Sequence, residues 1–555
     1  MGSCMTRRLS RRIVPVTACA LLMPWLSAGA APAGQAPAGQ APAGQAPAGP
    51  SPAGQPVAPG LQILREHCGA CHQQSTPDHF ARISEIRKTP EGWLMTIVRM
   101  QHLHQAQISD DERSTLIRYL ADTQGLAPAE TKPARYALER RPNVQDMTLP
   151  GELQTLCARC HSAARVALQR RDADDWLKHV HWHLAQWPTI EYHQNARDRY
   201  WWQTASTVAP AELGKLFPFQ TQAWADWQKH PRVSPEGRWL VRGHEPGRGD
   251  YWGVATIRNT GEGEYAATYS LDTDAGMHLS GDSKSIVYTG FEWRGTAQLS
   301  GREIHEVYAL SEDGQSLSGR WFETAHAEVG SDWTAVRAGD HHILAVMPAS
   351  ARAGTTSRVT VFGSGLDGAV NFGKGIKTHV LARTAESVTV ELNVPAAAAR
   401  GYREVTVGKT RADRLFAIYD HIDRLDVTPA FGIARVGGGK IDPVAAQFEA
   451  VAYIDVPGAG GKPEAIRLGT PAVTWRAEPY NDQAKAAQDE KFAGRIDSSG
   501  RFLPAGAGPN PERKFSANNA GDLAIVATAS GVPEAVSGKA HLIVTVQRWN
   551  TPPIY

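Results

Sequence analysis

The pentapeptide pattern C-x-x-C-H occurs twice in this sequence of 555 residues, as CGACH at 68–72 and as CARCH at 157–161. In c-type haem attachment two thioethers hold the vinyl groups of the porphyrin, and the adjacent histidine lies beneath the iron as its proximal ligand. A zinc ribbon or a thioredoxin-like redox pair has no need for a histidine at this place twice. We therefore predict two covalently bound haems c, the first on Cys68, Cys71 and His72 and the second on Cys157, Cys160 and His161.

The N-terminus has the pattern of a secretory leader. Four arginines precede an apolar run at 13–26, which is followed by an A-x-A sequence that ends at Ala30. This order predicts a signal peptide over residues 1–30, cleaved near Ala30, and therefore export to the periplasm. The apolar run is too short to span a membrane, and no later run is long enough. An alternative interpretation takes residues 16–19 as a lipoprotein box with Cys19 acylated.

The composition that remains after cleavage excludes some partners. Removal of residues 1–30 takes away four arginines and no acidic residue, so the net charge changes from +2 to −2. No basic run stands out, and a nucleic-acid partner is therefore not expected. Residues 31–60 repeat Pro, Ala, Gly and Gln with a period of five, a composition that cannot bury a core and that predicts a disordered tether.

The segment after the first motif predicts a helix that could supply the sixth iron ligand. Thr89 can cap it, and an apolar stripe runs from Trp93 to Met100 at i, i+4 and i+7. A capping box at 109–112 opens a second amphipathic helix that ends near Leu120. A methionine at the end of such a stripe is a suitable distal ligand for a haem.

The segment after the second motif repeats this pattern. Asp172 or Asp174 can cap a helix whose stripe runs from Trp176 to His183 at the same spacing. Superposing the two stripes places Met100 over His183. We therefore predict Met100 as the distal ligand of the first haem iron and His183 as that of the second.

Alternative ligands lie on the same helix faces. In WLKHVHWHLAQW, residues 176–187, three histidines alternate, and on a helix at most two of them share a face. His179 shares a face with His183, and His104 shares one with Met100, so both remain alternatives. Methionine ligation would make the first haem the more oxidising of the two, and two fully ligated irons would leave no open position for oxygen or peroxide.

Beyond about residue 220 the sequence changes to short β-rich runs that are broken by Gly, Asp and Ser turns. The predicted fold class is multidomain, with an all-α dihaem cytochrome c domain followed by three all-β domains, one barrel-like and two immunoglobulin-like sandwiches. No G-x-S-x-G, P-loop or H-E-x-x-H pattern occurs there, so we predict scaffold and docking domains and no catalytic residue. The predicted boundaries are 61–215 for the dihaem domain, 220–338 for an antiparallel barrel, 342–420 for one immunoglobulin-like domain and 422–555 for the other.

The chain resembles the alpha subunit of quinohemoprotein amine dehydrogenases. The resemblance depends on CGACH, CARCH, the stretch RDADDWLKHVHWHLAQW at 171–187 and the order of the domains. It extends over the predicted mature chain except the repeat at 31–60. It implies a periplasmic heterotrimer in which the other two chains are a propeller-shaped beta subunit and a small gamma subunit.

In that family a primary amine is oxidised by cysteine tryptophylquinone, a cofactor made from side chains of the gamma subunit. The resemblance therefore implies that this chain accepts electrons from the partner's quinone. Its haems would pass them to a soluble acceptor such as a cupredoxin or a small cytochrome c. Two alternatives remain from the residues alone: a free-standing dihaem carrier with β docking domains, and a peroxidase-like dihaem enzyme with one iron lacking a sixth ligand.

Overall fold

The computed structural model describes residues 57–546 except 143, 193–197, 340, 439–440, 459–461 and 531–534. The predicted signal peptide at 1–30, with its alternative lipoprotein box, lies outside the described residues, as do positions 31–56 of the predicted repeat. Within the described ranges no helix is both long and apolar enough to cross a membrane.

The first domain contains both haem motifs and is mainly helical. Its helices are α1 (Pro59–Ile63), α2 (Pro90–His104), α3 (Asp110–Gln124), α4 (Pro128–Thr131), α5 (Arg135–Leu138), α6 (Leu153–Cys157), α7 (Ala164–Ala167), α8 (Ala173–Gln186), α9 (Trp201–Thr207), α10 (Ala209–Leu216) and α11 (Gln222–Lys229). A π-helical turn over Leu64–Cys68 continues α1 into the first motif, and 3₁₀ turns occupy Lys132–Ala134 and Ile190–Tyr192.

The prediction of an all-α first domain is not confirmed, because four short strands pair within it. They are β1 (Gln74–Thr76), β2 (His79–Phe80), β3 (Ile86–Lys88) and β4 (Gln169–Arg171), joined as β1–β2 and β3–β4. Each strand is only two or three residues long. A helical periodicity search cannot detect such short segments.

Strands β3 and β4 join the two halves of this domain symmetrically. Their antiparallel register pairs Ile86 with Arg171, Arg87 with Arg170 and Lys88 with Gln169. Each strand leads directly into a capped helix: Thr89 accepts a hydrogen bond from the Gly92 N–H before α2, and Asp172 accepts one from the Asp175 N–H before α8. The two caps are separated by the same interval as Trp93 and Trp176, so the halves are local repeats.

A buried carboxylate links the two halves at this junction. Glu130, from the connector between the halves, accepts hydrogen bonds from Arg87 at 2.8 and 3.0 Å and from Arg170 Nε at 3.0 Å. All three side chains are buried. Because each charge is paired and hydrogen-bonded, the cluster avoids the large cost of burying isolated ions.

The second domain is a closed barrel of eight antiparallel strands. The strands are β5 (Gly237–Glu245), β6 (Gly249–Gly261), β7 (Glu264–Thr273), β8 (His278–Tyr288), β9 (Glu292–Leu299), β10 (Arg302–Leu310), β11 (Ser316–Glu323) and β12 (Gly330–Arg337). Strand β12 pairs with β5 and closes the ring. Burial alternates along β7, as expected for a strand with one face inside. Buried tryptophans and tyrosines fill the interior, and the barrel prediction is confirmed.

The third domain packs two four-stranded sheets around one apolar core. The strands are β13 (His342–Met347), β14 (Ser350–Arg352), β15 (Thr356–Ser364), β16 (Val370–Asn371), β17 (Lys377–Arg383), β18 (Ser387–Asn393), β19 (Gly401–Val407) and β20 (Thr410–Tyr419). The sheet orders are β13–β15–β18–β17 and β14–β20–β19–β16. Its immunoglobulin-like class stays a prediction.

The fourth domain is mainly β, as predicted, and its three small sheets are accompanied by two short helices that the sequence did not predict. The helices α12 (Asp482–Ala487) and α13 (Asp489–Phe492) cover part of the sheet edge, with α13 packed against the strand Gly521–Ala529. The strands are β21 (Arg424–Thr428), β22 (Phe431–Arg435), β23 (Ala446–Gln447), β24 (Glu449–Pro457), β25 (Pro463–Gly469), β26 (Val473–Pro479), β27 (Gly494–Ile496), β28 (Arg501–Pro504), β29 (Gly521–Ala529) and β30 (Ser537–Thr545).

The barrel contacts each of the other domains through ion pairs. Arg294 of the barrel donates from Nε to Glu91 of α2 at 2.5 Å. Arg238 pairs with Glu386 of the third domain at 2.6 Å. His244 lies 2.6 Å from Glu449 of the fourth domain. The barrel therefore contacts all three of the other domains, including the haem-motif domain.

Candidate haem sites

A cavity of about 1010 Å³ lies beside the second motif. Cys157, Cys160 and His161 line it from the motif, and His183 lines it from α8. The first half of the domain supplies another wall, because α2 contributes Met95 and Arg99 among other residues. Cofactor pockets typically enclose roughly 300–1,000 Å³, so the space suits a group as large as haem.

Two imidazoles face each other across this cavity. The ring centroids of His161 and His183 are 6.4 Å apart, and their planes are inclined by 35°. At the roughly 2.0–2.1 Å of a metal–imidazole bond, a metal between two rings separates their centroids by roughly 6 Å. The pair therefore has the spacing that two axial ligands of one iron require.

Both rings leave the same nitrogen free. His161 Nδ1 donates to the Ser162 carbonyl oxygen at 3.0 Å, and His183 Nδ1 donates to the His179 carbonyl oxygen at 2.8 Å. A hydrogen bond from Nδ1 to a backbone carbonyl fixes the tautomer in which Nε2 can bind a metal. Burial lowers the pKa of His161, and it lowers that of His183 to about 4, so both rings are neutral at pH 7 as ligands must be.

The alternative histidine of α8 is placed differently. His179 also lines the cavity, but its ring stacks on Trp182 at 5.2 Å with an interplanar angle of 3°. Burial, with the charge of Arg171, lowers the pKa of His179 well below its ordinary value. His181 is exposed and contacts the Trp202 ring. Of the three, His183 is the one whose ring lies opposite His161, which favours it over His179 without testing the ligation itself.

An unpaired donor also marks the cavity wall. Trp176 is 2% exposed, lines the cavity, and its Nε1 has no hydrogen-bond partner among the described residues. The equivalent Trp93 in the first half donates from Nε1 to the Gln124 carbonyl oxygen at 3.1 Å. A buried donor without a partner is unfavourable unless a bound group satisfies it. The second cavity therefore fits a large apolar cofactor with polar edges.

The first motif resembles the second in the exposure of its residues. Cys71 is exposed, as Cys160 is, and His72 Nδ1 donates to the Ala81 carbonyl oxygen at 2.9 Å, which again leaves Nε2 free. Met100 is half-buried on α2, whereas His104 at the end of this helix is exposed. Burial lowers the pKa of His72, and the charges of Arg82 and His104 lower it further. His104 is thus close enough to act on His72, so Met100 stays a prediction with His104 as its alternative.

All four cysteines of the two motifs are free thiols. Burial, with a contribution from Cys71, raises the pKa of Cys68 to about 11, and burial raises that of Cys157 to about 12. A buried neutral thiol is poorly reactive by itself. No disulfide joins these cysteines, so all four are available for the covalent attachment that the two motifs predict.

Sequence analysis missed the residues of α2 that form part of the second cavity. Trp93 and Ile97 of the predicted stripe pack into the core of the first half, while Met95 and Arg99 line the cavity beside the second motif. Their spacing of four residues was a signal that α2 has a second functional face. Glu130 was also missed, because its two partners lie 40 or more residues away in sequence.

Four family models cover nearly the whole described chain, and all four are named for the same subunit. They are the haem-binding domain of the quinohemoprotein amine dehydrogenase alpha subunit at residues 58–224, its domain II at 233–338, its domain III at 340–420 and its domain IV at 425–554. The chain belongs to the quinohemoprotein amine dehydrogenase alpha-subunit family. It is therefore a haem-binding subunit of a multi-subunit oxidoreductase, which implies partner subunits.

No curated protein matches the chain. Among solved structures, a redesigned β-barrel bound to DFHBI is similar at 10% identity and a TM-score of 0.17, over 18% of this chain and 94% of that one. A glucan-utilisation protein of Bacteroides ovatus, SGBP-B, in complex with a mixed-linkage heptasaccharide, is 13% identical with a TM-score of 0.17 over 38% and 52% of the two chains. Mouse protocadherin PcdhgC3 EC1–3 is 12% identical with a TM-score of 0.15 over 42% and 76%. Similarity at this level carries no argument about function.

Proposed function

We propose that this chain is the dihaem electron-transfer subunit of a periplasmic amine dehydrogenase. In this role it accepts electrons from a quinone cofactor, cysteine tryptophylquinone, on a partner subunit during primary amine oxidation. It then passes them to an external soluble redox protein. The observation that carries the proposal is the pair His161 and His183, whose rings lie 6.4 Å apart in a cavity that Cys157 and Cys160 also line.

The residues that would hold the two haems follow from the motifs. Cys68 and Cys71 would form the thioethers of the first haem, with His72 and Met100 as axial ligands. Cys157 and Cys160 would form those of the second, with His161 and His183 as axial ligands. Haem bound in this way supplies reversible one-electron chemistry at iron.

The protein's own contribution is to fix ligands and exclude water. The backbone carbonyls of Ser162 and His179 orient the two rings of the second site, so little reorganisation is needed when the iron changes charge. Trp176 and Val180 close the cavity with buried apolar surface. If His161 and His183 both hold the iron, they would leave no position for oxygen, which would favour electron transfer over peroxide chemistry.

The different burial of the two sites supports an order for the relay. The cysteines of the two motifs have the same exposure, but His72 is less deeply buried than His161, and the exposed His104 lies close enough to His72 to act on its pKa. A soluble acceptor needs a redox centre close to the surface. We infer that the first haem exchanges electrons with the acceptor and that the second receives them from the partner subunit.

The test is an anaerobic titration of the purified complex with a primary amine, followed through the haem absorbance. Two haems per chain, shown by a denatured haem spectrum, and complete reduction of both by amine are expected. His183→Ala should interrupt reduction of the first haem, whereas His181→Ala is the matched control on the exposed face of the same helix and should not.

Other outcomes would overturn the proposal. A chain that purifies without two further subunits, and whose haems amine does not reduce, would be a free-standing carrier. A ferric spectrum with one high-spin haem, together with rapid peroxide turnover, would indicate the peroxidase-like alternative.

A further inference from the structure

Two arginines on the wall of the second cavity have no acidic partner. Arg99 lines it from α2, and Arg165 lines it from α7. Neither guanidinium forms a hydrogen bond or ion pair with another residue in the described part of the chain, and that of Arg99 lies 4.2 Å from the centre of the Trp182 ring. A third arginine of this wall is paired, because Arg159 lies 2.9 Å from Asp198. Arg99 and Arg165, called the cavity arginines below, are thus available for a ligand.

These positive charges lie close enough to repel one another. Burial, followed by the charges of Arg165 and Arg171, lowers the pKa of Arg99 to about 10. Lys88, buried at the same wall, has its pKa lowered by burial and by the charges of Arg171 and Arg99. A group with two negative charges would relieve this repulsion between the buried Lys88, the half-buried Arg99 and the exposed Arg165.

The remaining polar groups of the wall do not neutralise the cavity arginines. The carboxylate of Glu91 lines the cavity, but it accepts a hydrogen bond from Arg294 Nε at 2.5 Å and is compensated there. Trp176 adds a buried N–H donor without a partner. Among the described residues the wall therefore presents two guanidinium groups without an acidic partner and one N–H without a partner, which are donors for carboxylates, beside Glu91 Oε2, which has no hydrogen-bond partner either.

We propose that Arg99 and Arg165 bind the two propionate carboxylates of the haem attached to the second motif, and that they thereby raise its reduction potential. The proposal rests on the proposed function, since it requires that haem in this cavity. Guanidinium groups match carboxylates in geometry and form charge-assisted hydrogen bonds with them. By compensating the carboxylate charges next to the iron, the arginines would stabilise the form that carries the extra electron.

The experiment is a spectroelectrochemical titration of the holo-complex, with wild type beside Arg99→Gln, Arg165→Gln and Arg159→Gln. We expect each cavity arginine variant to weaken reduction of the second haem at least tenfold, which is 59 mV for a one-electron couple. Arg159→Gln is the matched control. It also removes one positive charge from this wall, but in the wild type Asp198 already compensates that charge. The first haem provides an internal reference and should keep its potential.

Charge-conserving variants separate a binding role from a structural one. Arg99→Lys and Arg165→Lys should restore most of the potential, whereas a purely packing role would make them as harmful as the Gln variants. Unchanged potentials in Arg99→Gln and Arg165→Gln, with two low-spin haems present, would overturn the inference alone. A complex with only one haem per chain would instead overturn the proposed function.

Discussion

The two halves of the haem-motif domain start from the same local template and become different sites. In each half a C-x-x-C-H motif is followed by a short strand, a capping residue and a helix with a tryptophan one turn inside. In the second half this tryptophan, Trp176, lines a cavity with its N–H free, while in the first half Trp93 is bonded to the backbone. Residues of α2, in the first half, also line the second cavity, so both halves enclose it.

This difference shows that a repeated sequence pattern produces similar motifs, caps and helices but does not determine the environment around them. Local geometry brings each histidine near its motif, because caps and helix periodicity act over a few residues. Enclosure depends on what packs against the helix from elsewhere. In the proposed function, the second site would receive electrons from a bound partner and the first would exchange them with a diffusing one.

The largest contrast is expected when haem attachment is removed from one half at a time. The double variant Cys157→Ala, Cys160→Ala would lack the haem that the cavity of about 1010 Å³ is proposed to hold. The cavity is partly open to solvent and would take up water, so the loss is that of the apolar contacts with the haem, which is a large share of the roughly 5–15 kcal/mol that stabilises a whole domain. We expect this variant to unfold or be degraded, as measured by yield and circular dichroism.

The matched control is Cys68→Ala with Cys71→Ala, which removes the haem of the more exposed site. It should accumulate as a folded chain with one haem. Equal yields of the two double variants would show that enclosure does not distinguish the halves.

The junction between the halves should be the next most sensitive position. Glu130→Gln leaves Arg87 and Arg170 buried without a counter-charge, which should cost about 3–5 kcal/mol in chemical denaturation. Glu264→Gln, which breaks a half-exposed pair with Arg118, should cost less than about 1 kcal/mol. A loss of similar size in both variants would mean that the halves do not depend on this buried cluster.

Removal of the distal ligands should change each site separately. His183→Ala should convert the second haem to a high-spin ferric form and leave the first haem low-spin. Met100→Ala should convert the first haem to a high-spin form, lower its reduction potential and leave the second haem low-spin. Absorption and electron paramagnetic resonance spectra measure both changes. If His179→Ala or His104→Ala produces the effect instead, the superposition of the two stripes is wrong for that site.

The smallest effect is expected at a position that touches neither site. Burial lowers the pKa of His244, but hydrogen bonds to Asp250 and Glu449, each at 2.6 Å, outweigh it and raise the pKa to about 10. Because the folded pKa is above the unfolded one of about 6.5, the stabilisation is full below about pH 6.5 and is lost as the pH rises towards 10.

His244→Gln should therefore cost about 1.5–3 kcal/mol at pH 6 and much less at pH 10, with unchanged haem spectra. Denaturation at the two pH values provides the measurement, and His278→Gln, at an exposed pair with Asp272, is the control. A cost independent of pH would show that His244 acts through packing and not through its charge.

The sequence predicted the elements of the haem-motif domain well where signals were local. The capping box at Ser109 is present, and Asp172 rather than Asp174 caps α8. Helix α3 continues to Gln124, beyond the predicted end near Leu120, because Leu120 and Ala121 pack inward and extend its buried face. The short strands β1 to β4 and the helices α12 and α13 gave no periodic pattern to detect.

By itself the sequence determined the number and place of the haem motifs, the candidate axial ligands and the order of the domains. These follow from covalent chemistry and from interactions between residues close in the chain. Only the tertiary structure decided that His183 lies opposite His161. It also decided that Arg99 of α2 lines the cavity of the second half, and that Glu130 bonds to an arginine of each half. Such contacts join residues far apart in sequence, and they depend on how whole elements pack, which no local pattern specifies.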